Sequence, residues 1–389
     1  MSSAASVLAP PGQIPSWLPS PLQESYIQKV AKEISYREAI RVECHDPRSP
    51  ESAASPTCAA AYCTSVAKTA TNLRFNRYTD VVPYDRTRVV LSDGAYLNAS
   101  WVREFAGGRW TVATQAPLDR TVHAFLSMFL LPVAPPQDHT QPTPSSIPAS
   151  NRLRTIVQLT PNVEGNINKA FQYFPRTVGE TLTWSPAKGV SSPPIKVKLV
   201  QSVSPEEEGE QPSWIHSVLA LSYEGHHEPP HLVRHLHFLG WPDHGTPRDV
   251  RSLLQFMKFV DACNADTTHA DAAQNPDPPI VIGCSAGVGR TGTYIALRSL
   301  FHAHGLNQPN LSPPSQSETP TANWTGAVLS PSPLGPLSPA LQQDKIALEV
   351  DALREQRPMM VQSVDQLRFL YTTFIAALEL EGRNRMSDS

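Results

Sequence analysis

Apolar positions recur at helical and strand spacings in different parts of the chain. Tyr26, Ile27, Val30 and Ile34 share one face of a helix expected over 22–43. Short β-rich runs follow at Arg88–Leu91, Trp110–Ala113, Thr155–Leu159, Ile195–Val200, Ser217–Leu221, His231–Phe238 and Ile280–Ile282. Val250, Leu253, Leu254, Met257 and Val260 then mark a helix over 248–262. The clearest helix is the last, where Leu367, Leu370, Tyr371, Phe374, Ile375 and Leu378 follow the three-and-four spacing of one buried stripe. Strands in the middle and helices late predict an α/β (α+β) fold, a highly twisted mixed β-sheet flanked by helices. No internal repeat interrupts this pattern.

Composition divides the chain further. Proline accounts for 39 of 389 residues, roughly twice the usual share, and charged residues for only 17%. The prolines cluster in residues 1–21, 132–151, 184–213 and 306–343, the third block also holding the acidic run EEEGE. Such segments cannot bury enough apolar surface to offset their ordering entropy, so they are expected as tails and surface insertions. One catalytic-sized domain over 22–382 remains, with short disordered tails at 1–21 and 383–389.

A net charge of −3 offers no basic footprint for nucleic acid. No apolar run approaches the length of a membrane span, and the first residues lack the character of a signal peptide. A soluble chain of the cytoplasm, or of the nucleus, is the expectation. Five scattered cysteines and the absence of any CxxC pair argue against a disulfide scaffold or a zinc site. The sequons at Asn98, Asn310 and Asn323 read as chance matches. His226, His227, His231, His235 and His237 alternate as in a strand and have no carboxylate or cysteine at metal-ligand spacing.

The stretch PPIVIGCSAGVGRTGTYIAL, residues 278–297, carries the chemistry. A buried strand enters a loop of small residues, and a helix starts near Arg290. Converging backbone N–H groups and the helix dipole suit such a loop to an anion. Cys284 stands at its mouth, where the same groups favour thiolate over thiol. Arg290 can return across the loop and grip two phosphoryl oxygens. There is no GK[ST], so this is not a nucleotide-binding P-loop.

CSAGVGRTGT resembles the signature loop of the cysteine-dependent, tyrosine-specific protein phosphatases of the non-receptor kind. Other stretches resemble that family's motifs in the family's order over roughly 22–380, and the style of the insertions is similar to that of fungal members. The resemblance implies Cys284 as nucleophile, with Ser285, Ala286, Gly287, Val288 and Gly289 cradling phosphate and Arg290 binding it. Thr291 would stabilise the departing thiolate. WPDHG supplies Asp243 as general acid and base, with Trp241 and Pro242 in the moving loop. NRYTD supplies Tyr78 against the substrate ring and Asp80 on its backbone. Glu164 would pair with Arg290, and Lys169 would lie near the acid loop. RPMMVQSVDQ supplies Gln362 to place water and Gln366 to support it.

The implied activity is hydrolysis of phosphotyrosine in proteins through a cysteinyl-phosphate intermediate, without metal or organic cofactor. Implied partners are phosphotyrosine proteins of intracellular signalling, mitogen-activated protein kinases among them, with the chain acting as a monomer. Gly283 stands where the family has histidine, which leaves the loop amides and Arg290 to favour the thiolate. Ala116, Ala170 and Thr79 are lesser departures. The competing reading is a catalytically weak phosphotyrosine-binding module. The Ser-Pro and Thr-Pro pairs at Ser312, Thr319, Ser330, Ser332 and Ser338 could take phosphate from proline-directed kinases, or be chance in a Pro/Ser-rich tract.

Overall fold

The structure, a computed structural model, describes residues 14–19, 21–46, 48–50, 54–136, 152–204, 213–242, 245–247, 249–266, 277–306 and 331–387. Helix α1 (Glu24–Glu43) and the short α2 (Pro56–Tyr62) precede β1 (Ala99–Arg103), β2 (Trp110–Gln115) and α3 (Val122–Leu130). Next come β3 (Thr155–Gln158), the hairpin β4 (Val163–Glu164) and β5 (Ile167–Asn168), and the strands β6 (Thr181–Trp184), β7 (Ile195–Val203), β8 (Trp214–Tyr223) and β9 (His231–Phe238). Helix α4 (Val250–Ala265), strand β10 (Ile280–Cys284) and helices α5 (Gly289–Ala303), α6 (Lys345–Arg354) and α7 (Val364–Ser387) complete the order. None of the described helices is long and apolar enough to cross a membrane.

Eight strands form one mixed sheet in the order β1-β2-β10-β3-β9-β8-β7-β6. The centre, β2-β10-β3-β9, is parallel, and the flanks are antiparallel. Both faces are covered, which explains why Ile280, Val281 and Ile282 are all fully buried. Successive side chains alternate between two cores: Ile280 and Ile282 join the helices α1, α4, α5, α6 and α7, while Val281 joins α3.

Four expectations about packing are corrected. Residues 184–213 are not an insertion through 204, because β7 occupies Ile195–Val203 and pairs with both β6 and β8. Residues 331–343 of the expected insertion at 306–343 pack on the domain, with Leu337 and Leu341 buried. Likewise Leu18 of the expected N-terminal tail is buried, Trp17 stacks on Phe374, and the expected C-terminal tail continues α7 to Ser387. In all but the last case a few apolar side chains find the core despite the surrounding proline. The expected strand Arg88–Leu91 forms only a single bridge, Arg88 to Ser100, although Val89 and Leu91 are buried. Residues 1–13, 137–151, 205–212 and 307–330, which hold most of the rest of the expected tails and insertions, lie outside the described residues.

Candidate active site

Strand β10 delivers Cys284 to the C-terminal edge of the parallel strands, and α5 begins five residues later. The loop between them is bound from behind. Ala116 N–H donates to the Ser285 carbonyl at 3.0 Å, and Leu159 N–H donates to the Gly283 carbonyl at 2.8 Å. Arg357 donates through Nε to the Gly287 carbonyl at 2.8 Å and through Nη2 to that of Ala286 at 3.1 Å. With these carbonyls held, Gly287 N–H points at Cys284 Sγ, 3.3 Å away. Gly287 has φ +74°, and a Cβ there would sit 2.2 Å from the Thr114 carbonyl oxygen, so no other residue fits. Arg357 is itself fully buried between Asn98 Oδ1 and Ser100 Oγ. Its burial draws the guanidinium down to about 10, against the opposing pull of Tyr96 and Cys284.

Arg290 lies in the first turn of α5, 4% exposed at its side chain. Its Nη2 pairs with Glu164 Oε2 at 2.8 Å, and its Nη1 donates to the Leu159 and Trp241 carbonyls at 3.2 and 3.1 Å. Glu164 is carried by the β4–β5 hairpin, whose turn residues Gly165 and Asn166 both have positive φ, the geometry of a tight two-residue loop. Val288 and Gly289 are buried beside it. The Thr291 hydroxyl is buried with no hydrogen-bond partner among the described residues.

Tyr78 and Asp80 are both exposed, and the Tyr78 hydroxyl lies 2.9 Å from Ser285 Oγ. Their segment is bolted down by Arg77, which donates to the carbonyls of Ala116, Pro117 and Asn168. On the opposite side, Gln362 is exposed while Gln366 is buried and accepts from the Gln362 and Ser363 N–H groups. Val361 N–H donates to the Val288 carbonyl at 3.3 Å, and a Cβ on Gly292 would lie 2.5 Å from Val361 N. The segment bearing Gln362 is therefore packed directly onto α5. A cleft of about 500 Å³ between α1 and this segment, lined by Ser35, Val42, Arg354 and Met359 among others, adjoins Gln362.

Trp241 is fully buried and donates its indole N–H to the Gly245 carbonyl at 3.0 Å. Pro242 is half-buried, and Asp243 lies outside the described residues. Lys169 is buried just after β5, its backbone N–H on the Asn162 carbonyl. Cys284, Ser285, Arg290, Glu164, Trp241, Tyr78 and the two glutamines thus surround one loop.

Two positions that sequence reasoning left without a role are Arg77 and Arg357. Both stand inside recognised motifs, but what they bind is remote in the chain, so spacing alone carries no signal for it. The histidines of β9 make protein contacts: His231 with the Leu153 carbonyl, His235 with Gln158 Oε1 and His237 with the Thr160 carbonyl. Asn98 is buried and holds Asn76, Val81 and Arg357, which removes its sequon from consideration.

The sequence model of the family described as protein-tyrosine phosphatase matches residues 72–131 and 148–311. Receptor-type tyrosine-protein phosphatase C of Rattus norvegicus is 30% identical over 243 residues, 61% of this chain and 16% of that protein. Tyrosine-protein phosphatase 1 of Saccharomyces cerevisiae is 29% identical over 315 residues, 76% of this chain and 80% of the yeast protein. Tyrosine-protein phosphatase non-receptor type 14 of Homo sapiens is 25% identical over 316 residues, 79% of this chain and 21% of the human protein. The chain thus spans about a sixth of the length of the receptor-type relatives it matches first. The family model covers more than half of the chain, its two segments take in the loop from Cys284 to Arg290, and the chain belongs to the protein-tyrosine phosphatase family.

Proposed function

We propose that the chain hydrolyses phosphotyrosine in proteins, with Cys284 as nucleophile. The observation that carries this reading is the joint fixing of sulfur and guanidinium. Gly287 N–H meets Cys284 Sγ, and Arg290, in the first turn of the helix that follows, is held by Glu164 and two carbonyls. Cys284 attacks phosphorus, an S–P bond forms, and the bond to the tyrosyl oxygen breaks. Asp243 gives that oxygen its proton. Arg290 and the amides of Ser285–Gly289 hold the equatorial oxygens. In the second step Asp243 takes a proton from a water placed by Gln362, the water oxygen bonds to phosphorus, the S–P bond breaks and phosphate leaves with the thiolate restored. The Thr291 hydroxyl, buried with no partner among the described residues, supports a role as donor to the thiolate. Trp241, locked to Gly245 and to Arg290, suits a hinge for the segment bearing Asp243.

Tyr78 beside Ser285 would line a pocket deep enough for phosphotyrosine, with Asp80 on the substrate backbone. Signalling proteins are the proposed substrates, with mitogen-activated protein kinases the narrower class and the chain a monomer of the cytoplasm or nucleus. The narrower class rests on the family resemblance alone. Rapid-quench reaction with a phosphotyrosine peptide should trap one phosphate per chain on Cys284, and Cys284→Ser should bind peptide without releasing phosphate. Asp243→Ala should cut kcat on the peptide far more than on nitrophenyl phosphate, whose leaving group needs no proton. Equal losses would remove Asp243 from the acid role. Tight peptide binding with neither a burst nor turnover would instead establish the binding-module reading that Gly283 suggested.

A further inference from the structure

Residues 331–343 form a strap that ends at Asp344, the N-cap of α6, and is held against α1. Arg37 of α1 donates to the strap carbonyls of Gly335 at 2.9 Å, Leu334 at 3.3 Å and Pro336 at 3.5 Å. Leu337 and Leu341 anchor the strap in the core. Two Ser-Pro pairs lie on it, Ser332-Pro333 and Ser338-Pro339, and the second proline is exposed.

Both serine hydroxyls donate to carboxylates. Ser332 Oγ reaches Glu355 Oε1 at 2.8 Å. Ser338 Oγ reaches one oxygen of Glu33 while its backbone N–H reaches the other. A hydroxyl makes this contact because it carries a proton to give. A phosphoserine at neutral pH is close to a dianion and offers acceptors only, so the same position becomes repulsive.

We propose that Ser332 and Ser338 are acceptor sites for a proline-directed serine/threonine kinase, and that phosphorylating them releases the strap from α1. The kinase moves the γ-phosphoryl group of ATP to serine Oγ. The new O–P bond replaces the β,γ-bridging bond, the hydroxyl proton goes to the kinase's base, and ADP leaves. At Ser338 the phosphate faces Glu33. At Ser332 it faces Glu355, and the Arg37 Nη2 that lies 3.3 Å from Ser332 Oγ is drawn towards it. A phosphate that draws on this nitrogen competes with the Gly335 carbonyl for it, while repulsion from Glu33 and Glu355 pushes the strap outward.

The consequence extends beyond the strap. Glu355 also accepts from Arg41 at 2.7 Å and from the Tyr62 hydroxyl at 2.7 Å. It stands two residues before Arg357, which holds the loop around Cys284. A charge added at Ser332 therefore acts on a hub joined to α1, α2 and the phosphate loop.

The test uses the full chain, a proline-directed kinase with MgATP, peptide mapping, and hydrogen exchange across 331–343. Phosphate is expected on both serines, with exchange at the amides of Gly335 and Leu341 accelerated about tenfold or more. Ser332→Ala/Ser338→Ala should keep slow exchange after kinase treatment, which separates added charge from lost hydroxyl and from phosphate elsewhere in the chain. In a Ser332→Ala background, Glu33→Gln should blunt the acceleration caused by phosphate on Ser338, because the facing charge is gone. No phosphate on either serine, an unchanged exchange rate in the phosphorylated chain, or the same acceleration with Glu33→Gln would each overturn the proposal. None of these readouts uses phosphatase turnover, so the result stands apart from the reading of Cys284.

Discussion

Two glycines in the loop region behave differently, and the difference predicts what substitution does. Gly287 combines a positive φ with a backbone carbonyl 2.2 Å from where a Cβ would be. Gly287→Ala should abolish turnover and lower the melting temperature together, because Thr114 belongs to the β2 ladder and cannot withdraw. Gly283 has an ordinary φ, but a Cβ there would lie 2.9 Å from the same carbonyl oxygen. A histidine side chain there would press on that carbonyl, so Gly283→His should cost about 1–3 kcal/mol by overpacking. Thermal unfolding and peptide turnover check this; a variant as stable as the parent and faster in turnover would show that the strand yields. The loop itself was legible because Cys284 to Arg290 are contiguous, so one short stretch holds nucleophile, amides and guanidinium. Arg357 and Arg77 were not, since each acquires meaning only when a segment far away in sequence folds against it.

At the scale of elements, regular alternation or a 3.6 period over eight or more residues was enough to find α1, α4, β9 and α7. What periodicity missed was short or contextual. Strand β6 has four mostly exposed residues, and only its ladder with β7 makes it a strand. Helix α3 is wholly buried, and its polar residues His123 and Ser127 bond each other and the Pro193 carbonyl, so it has no exposed polar face to define a period. The strap at 331–343 misleads for another reason: proline and serine set its composition, while Leu337 and Leu341 set its contacts. Leu341 is completely buried, so Leu341→Ala should destabilise the domain by about 2–5 kcal/mol. An unpacked insertion would tolerate the change, and denaturant titration separates the two. By contrast, shortening residues 307–330 to a flexible linker should leave stability within about 1 kcal/mol, since loop-closure entropy changes slowly with length.

Across the whole molecule, the buried titratable groups predict how stability follows pH. Burial pushes His45, His237 and His302 down to about 4, and it lowers His216, His231 and His304 as well. Between about 4 and the ordinary histidine value of 6.5 the unfolded chain therefore binds more protons than the native one, and stability rises with pH. Glu349 works in the opposite sense. Burial raises its carboxyl to about 8, although Ser299 and the N–H groups of Phe105 and Ala106 donate to it. From its ordinary 4.5 up to about 8 the native chain keeps a proton that the unfolded chain has lost, so this group lowers stability as pH rises. The six histidines still outweigh it at 6.5, where each is half protonated in the unfolded chain; about a unit higher they are neutral in both states and Glu349 sets the trend. The melting temperature should thus peak at about pH 7 to 7.5 and decline beyond it, one full proton corresponding to a slope of about 1.4 kcal/mol per pH unit. Glu349→Gln should lower the peak, because an amide N–H group would confront one of those donors, but it should flatten the alkaline limb. Melting curves from pH 4.5 to 8.5 read both features, and an alkaline decline that survives Glu349→Gln would assign the limb to another group.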